Sequence, residues 1–438
     1  MGTNFALLAA WGASIYLSHK LYRDVFTPLC IYFSVWSFCL LLFRLRLVDY
    51  YELETKTIVL IGGSILSFVL GCIIAHRRKA AHEEIPNSAG RIHQGLLEYS
   101  IRLLLVLYFV GAVIFTYRMN AAYGLATYIT NPAVIRQDAD EWTRMGLLAL
   151  LLDLNYPLLV CSWVHRLLTK KWQWFSILGV LLPLALTFLQ TDRGTLTTYV
   201  ITCIFLWIYW NHCRSLTWKM VRRLSAIAAL LLAYFLAIGL LYGKILSQQT
   251  DVINTRDFSA TSDVGLALAS PYVYATGSFP AFQEAMRDVR QMSWGTHTFF
   301  PIARVLSGLG FLREKPEGFT TDFYLVPIPF NVYTHLFSFY QDFGVAGVIL
   351  LPMGLGYMET RLYLGMKASP NLFLFGATSA FTALNIFSVF IPMMTSLGFW
   401  YYFTVLYAIS RFCDAQATAF KCEGALGQPR APLTPWNA

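Results

Sequence analysis

The chain has 438 residues and is 57% hydrophobic, 16% aromatic and only 13% charged, about half the charged share of a soluble domain. So few polar residues cannot solvate a folded surface, which excludes a water-soluble enzyme or binding module. The formal net charge of +9 comes from short basic clusters beside apolar stretches, a placement that orients membrane helices and does not point to nucleic acid.

Apolar stretches able to cross the hydrocarbon as helices recur from end to end. In chain order they are predicted at about 4–18, 25–43, 57–75, 98–117, 144–165, 173–190, 194–210, 223–243, 343–362, 372–390 and 393–410. The expected fold class is an all-α polytopic membrane protein of about 11 transmembrane helices with one long extracytoplasmic loop. Residues 4–18 lack a basic start and a small-residue cleavage site, so they read as a first membrane helix and not a removed signal. With the N-terminus outside, the inner loops hold Lys20 and Arg23, then Arg77, Arg78, Lys79 and Arg91, then Lys170 and Lys171, then Arg214, Lys219, Arg222 and Arg223. Outer loops carry fewer, and Arg44, Arg46 and Lys56 share theirs with Asp49, Glu52 and Glu54, so the positive-inside rule favours this orientation. The chain then divides into a bundle of eight helices (1–243), a large extracytoplasmic loop (244–331), three last helices with a polar entry segment (332–411) and a cytoplasmic tail (412–438). The Pro- and Gly-rich end of that tail is expected to be disordered. The eight cysteines lie in or beside apolar spans and lack the paired spacing of a zinc site.

The connection from 244 to 331, roughly ninety residues, is far longer than ordinary loops, and long loops carry function. Ser278 and Pro280 open a stretch in which Phe279, Phe282, Met286 and Val289 fall at helical spacing, a face suited to lying on the bundle or the membrane surface. No internal repeat is evident, which weighs against transporters built from inverted halves.

Several segments carry candidate chemistry. Gln190-Thr191-Asp192-Arg193-Gly194 is a short outer turn with one cation near membrane depth. Arg193 either pairs with Asp192 or snorkels to the interface, or it presents its planar fork of donors to a diphosphate. In the long loop, Arg304 stands among Phe299, Phe300, Ile302 and Leu306, near His297, and a buried setting would require an anion or carbonyl groups to meet it. The densest segment is Asn331 to Gly344, which includes Tyr333, Thr334, His335, Ser338, Tyr340 and Asp342. If it is helical, Asn331, His335, Ser338 and Asp342 form one polar stripe, with Tyr333 and Tyr340 as a neighbouring aromatic line suited to sugar rings. The alternative is an interfacial aromatic belt with Asp342 neutralised by an arginine. His297 and His335 are the only histidines on the predicted outer side, and either His335 or Asp342 is positioned in sequence to take a proton from an attacking hydroxyl. Arg136 and Asp138 add a charged pair in the outer loop at about 118–143. No phosphate-binding glycine loop, serine nucleophile motif or HExxH is present, and neither a cofactor nor a metal is expected.

The stretches Thr298 to Arg304, Asn331 to Thr334 and Phe339 to Gly344, together with the Asp192-Arg193-Gly194 turn on a many-helix background, resemble Wzy-type oligosaccharide repeat-unit polymerases. The resemblance implies polymerisation of undecaprenyl-diphosphate-linked oligosaccharide at the outer face of a bacterial inner membrane. Arg193 and Arg304 would hold the diphosphate, Asp342 first and His335 second would serve as base, and Tyr333 and Tyr340 would hold sugars. Thr334, Asn331, His297 and Arg136 would complete the substrate-binding set. Implied partners, besides the lipid bilayer and the lipid-linked substrate, are a chain-length regulator and a flippase. An O-antigen ligase, which hands the glycan to lipid A core, and a flippase or transporter of lipid-linked sugars are the alternatives.

Overall fold

Where no water is at hand, a backbone must satisfy its own polar groups, and apolar runs of this length do so as helices. A computed structural model describes residues 2–80, 92–124, 126–127, 147–190, 193–241, 271–312, 323–326 and 329–424. The helices are α1 (Gly2–Tyr22), α2 (Pro28–Arg44), α3 (Thr55–Ala80), α4 (Gln94–Tyr123), α5 (Leu147–Leu152), α6 (Asn155–Thr169), α7 (Trp174–Leu189), α8 (Arg193–Trp210) and α9 (Trp218–Leu241). After them come α10 (Ser278–Asp288), α11 (Phe300–Gly308), α12 (Leu336–Ala368), α13 (Leu372–Phe387) and α14 (Leu397–Gly424). Among the described residues the strands are β1 (Tyr324–Leu325) and β2 (Pro329–Phe330), an antiparallel pair that sets Tyr324 opposite Phe330.

Among the described residues, four helical segments are long and apolar enough to cross a membrane: Thr55–Arg78, Gln94–Tyr123, Trp218–Ala237 and Leu336–Ala368. Shorter apolar helices cover Pro28–Arg44, Trp174–Leu189 and Leu372–Phe387. Helix α4 turns Val106, Phe109, Val110 and Val113 outward, an apolar surface that water would penalise and lipid does not.

The structure redraws three predicted spans. The stretch at 144–165 is broken between α5 and α6, because Pro157 has no N–H for the carbonyl of Asp153 and is tolerated only in the first turn of a restarted helix. The span drawn from 343 is preceded by a separate helical arm that starts at Leu336, and the one drawn to 410 continues to Gly424. Helix α12 is itself broken at Gly344, where φ is 59° and ψ is −143°. A side chain is strained in that region, at about 1–3 kcal/mol, and a Cβ there would also meet Met292 at 2.9 Å. Gly344→Val is therefore expected to lower the thermal unfolding midpoint in detergent, read by intrinsic fluorescence, and to leave helix content by circular dichroism unchanged.

Two apolar cores lie side by side. One gathers α4 to α8 with the near end of α13, through residues such as Ile101, Leu158 and Phe375. The other gathers α2, α3, α10 and α12, through Trp36, Phe68, Phe282 and Val348. Helices α3 and α12 meet almost backbone to backbone. A Cβ on Gly71 would fall 2.0 Å from the Met353 carbonyl oxygen, and one on Gly356 would fall 2.2 Å from that of Phe68, the close approach that small residues permit between apolar helices.

The two ends of the bundle differ. At one end, where α1 meets α2, buried Asp24 accepts from the Tyr363 hydroxyl at 2.6 Å, from the Phe26 N–H at 2.8 Å and from the Lys367 ammonium. At the other, the described part of the long loop docks onto α2 and α3. Gln283 Oε1 accepts from the Glu54 N–H at 2.7 Å and Arg287 pairs with Glu54 and Glu284. Tyr272 donates to the Leu42 carbonyl at 2.9 Å. Helix α10 begins at Ser278 and buries Phe279, Phe282 and Met286, the face that the spacing marks out. Val289 stands just past its end and packs partly against the same core.

Candidate functional site

Helix α12 starts at Leu336, and Asn331 to Thr334 are not helical. The polar stripe therefore loses Asn331, while His335, Ser338 and Asp342, at spacings of three and four, keep to one side of the first arm. Trp36, the midpoint of α2, donates from Nε1 to Ser388 Oγ at 2.8 Å, and the Ser388 carbonyl accepts the His335 N–H at 2.8 Å. The Tyr32 hydroxyl shares a 3.2 Å hydrogen bond with His335 Nε2. The start of α12 and the connection after α13 thus meet at the half-height of α2. From there the first arm rises to Tyr340, whose hydroxyl accepts from Lys56 Nζ at 3.0 Å at the start of α3. Gly344 then turns the chain back down alongside α3.

Non-helical backbone at such depth is tolerated where it is buried in protein or lines a cavity. Here it does both. Thr298, His335, Ser338, Phe339, Ile391 and Met394 are among the residues lining a narrow cleft of ≈ 10 Å³, room for about one water. The Ser338 hydroxyl, which belongs to that lining, and the hydroxyl of Thr334 are buried and have no hydrogen-bond partner among the described residues.

Asp342 joins two segments far apart in sequence. It is fully buried, and its Oδ1 accepts the His297 N–H at 3.1 Å while Oδ2 accepts the Thr298 N–H at 2.5 Å. Around it, the Gln341 carbonyl accepts from the N–H and hydroxyl of Ser293, the Asp342 carbonyl from the Trp294 N–H at 3.2 Å, and the Ser338 carbonyl from the Thr298 hydroxyl at 3.3 Å. The carboxylate thereby fixes the turn over 294–299, from which α11 runs directly. Arg304, one turn into α11, is exposed and makes no ion pair with a described residue.

Arg193 opens α8, with its guanidinium 4.4 Å from the centre of the Phe235 ring. Phe235 meets Tyr274 edge-on at 5.5 Å, and Tyr274 meets Phe330 at 5.8 Å. This aromatic series joins Arg193 to the long loop, so both arginines stand at the loop end of the bundle. Tyr333 is 4% exposed and packs edge-on against Tyr324 and Phe337, so its ring is core and presents no open face. The Tyr340 ring lies under Lys56 Nζ at 5.3 Å. Asn331 and His297 are half-buried. Arg136 and Asp138, like Thr191 and Asp192, lie outside the described residues.

No family model, curated protein or solved structure matches the chain.

Sequence reasoning passed over an acid in the interior. Glu359 on α12 is 1% exposed and accepts from Asn385 Nδ2 on α13 at 2.5 Å, while Glu359 Oε1 and Asn385 Oδ1 have no partner among the described residues. Its signal in the sequence was a lone carboxylate inside an apolar span. Asp153, in the break between α5 and α6, was passed over too. Its Oδ1 lies 3.1 Å from where a Cβ on Gly398 would stand, at the start of α14. A third cluster has the look of a hydrolase relay: Ser176 Oγ lies 2.8 Å from His165 Nδ1, and His165 Nε2 lies 3.2 Å from Glu98 Oε1. Ser176 and His165 are fully buried, and the three groups tie α7, α6 and α4 together.

Proposed function

We propose that the chain polymerises undecaprenyl-diphosphate-linked oligosaccharide repeat units, working within a bacterial inner membrane with its loop end facing the periplasm. The observation that carries this reading is the Asp342 junction. It couples the segment bearing His297 and Arg304 to the segment bearing His335 and Tyr340, and those are the segments on which the resemblance rests. The exposed arginine on the adjoining helix suits a diphosphate, and a sugar enters only as the narrow cleft between the two segments widens.

In the reaction, a hydroxyl of the terminal sugar on one lipid-linked unit attacks the anomeric carbon of the other glycan. The bond from that carbon to the diphosphate oxygen breaks, the electron pair leaves with undecaprenyl diphosphate, and the hydroxyl proton passes to a base. Arg304 and Arg193 stabilise the charge developing on the leaving diphosphate. Both Asp342 oxygens already accept backbone N–H groups, so in this reading Asp342 is a positioning residue. The proton goes to His335, which lines the cleft. The finer topology of about eleven crossings belongs to the same proposal.

Arg304→Lys tests it. Lysine keeps the charge but loses the two-pronged donor geometry, so the ladder of long surface glycans should collapse towards single repeat units while the protein level in the membrane stays constant. An unchanged ladder would remove Arg304 from the diphosphate site. Single units capping the core point to a lost polymerase, whereas polymer stranded on the carrier lipid would point to a ligase.

One observation favours a second reading. A carboxylic acid in the interior of a bundle, as at Glu359 with Asn385, is a feature of carriers that move ions or solutes. A carrier of lipid-linked sugars would move them across a bilayer without lengthening any glycan.

A further inference from the structure

Away from the cleft, a groove of ≈ 500 Å³ opens among α1, α2 and α3, at the loop end of the bundle. Its walls are apolar, from Phe33 and Leu40 on α2 to Ile61 and Ile65 on α3, and Arg44, Arg46 and Glu52 stand at its mouth. Gly62 is part of the wall, and a Cβ there would meet nothing within 4 Å. From Phe33 to Arg44 the groove follows α2 for ~16 Å at the usual helical rise, about half of the ~30 Å hydrocarbon thickness. That is the depth of one leaflet and the reach of one acyl chain. The far longer undecaprenyl chain would overrun it.

The mouth decides the headgroup. Arg46 pairs with Glu52 at 2.9 Å, but both side chains are largely exposed, and such a pair contributes little. Arg44 ends α2 and has no ion pair with a described residue. One guanidinium thus has no ion pair among the described residues and a second is weakly held, both at the mouth of an apolar slot. Tyr50, also at the mouth, bonds Thr276 of the long loop at 2.8 Å, so the rim of the groove is continuous with the docked loop.

We propose that this groove is a binding site for one anionic glycerophospholipid of the leaflet at the loop end. One of its two acyl chains lies between α2 and α3, and its phosphate is held by Arg44 with help from Arg46. The proposal does not depend on the polymerase reading, and its test does not measure glycan synthesis.

Full-length protein in detergent is equilibrated with micelles of equal phosphatidylglycerol and phosphatidylcholine, and retained lipid is counted by native mass spectrometry. Wild type is expected to keep one phosphatidylglycerol in preference to phosphatidylcholine. Arg44→Gln, at an exposed position with no fold to disturb, should reduce that preference about fivefold, the effect of one basic residue at an anionic surface. Gly62→Trp, which fills the slot, should abolish retention of both lipids. Equal retention of the two lipids by wild type, or a preference that survives Arg44→Gln, overturns the proposal. So does retention of co-purified undecaprenyl phosphate in place of phosphatidylglycerol.

Discussion

Asp342→Ala is expected to abolish chain extension and to release the turn over 294–299 from the first arm of α12. The substitution removes both acceptors of two N–H groups, those of His297 and Thr298, at a fully buried position. The buried Thr298 donor left unsatisfied costs about 1–3 kcal/mol and the half-buried His297 donor less, while the remaining ties from Ser293, Trp294 and the Thr298 hydroxyl to the α12 carbonyl groups are ordinary neutral hydrogen bonds. Limited proteolysis should therefore cut between α10 and α11 in the variant and spare wild type, while the rest of the bundle stays folded. Asp342→Asn separates two roles. Asparagine keeps one acceptor oxygen, so a fastener should retain part of its activity and most of its protease resistance. A catalytic base would lose polymer as completely in the Asn variant as in the Ala variant. Partial polymer in the Asn variant is the expected result.

The second large effect concerns the opposite end. Asp24→Ala strips the acceptor from the Tyr363 hydroxyl, the Phe26 N–H and the Lys367 ammonium together. Breaking a buried ion pair by removing one partner costs about 3–5 kcal/mol. Lys367 is 27% exposed, so it recovers some water and the loss belongs at the lower end of that range. The unfolding midpoint in detergent should fall sharply. Lys367→Met should fall less, and the double variant should lose less than the sum of the two, because an ammonium without its carboxylate is no longer present. Additive losses would show that the pair is not coupled.

Much of the helical layout was legible because apolar runs report their own length. The Ser278 and Pro280 start, with Phe279, Phe282 and Met286 on one face, survived into the structure for the same local reason. Breaks were less legible. Pro157 is tolerated at the start of a helix and disruptive within one, and only the tertiary setting decides which. Gly344 reads as one more small residue in an apolar span until its positive φ and the proximity of Met292 are seen. The site was legible as three segments and not as a junction. Nothing local in Asp342 says that its partners are backbone groups 44 and 45 positions away, and so a carboxylate suited to proton transfer is found to fasten a turn. Tyr333, an aromatic in a polar stretch, was drawn towards sugar by its neighbours. Its burial against Tyr324 and Phe337 depends on a β-pair that periodicity cannot foresee. Glu359 shows the opposite case, in which the signal was plain in the sequence and its partner, Asn385 on the next helix, gives it meaning.

Reconstitution tests the central claim most directly. Purified protein in proteoliposomes, supplied with undecaprenyl-diphosphate-linked repeat units on its loop side, should lengthen the glycan and release undecaprenyl diphosphate in step with each bond formed. The Arg193→Lys and Arg304→Lys proteins should bind lipid-linked sugar yet extend it poorly. Repeat units that cross the bilayer with no gain in glycan length would contradict the account and leave the chain a carrier.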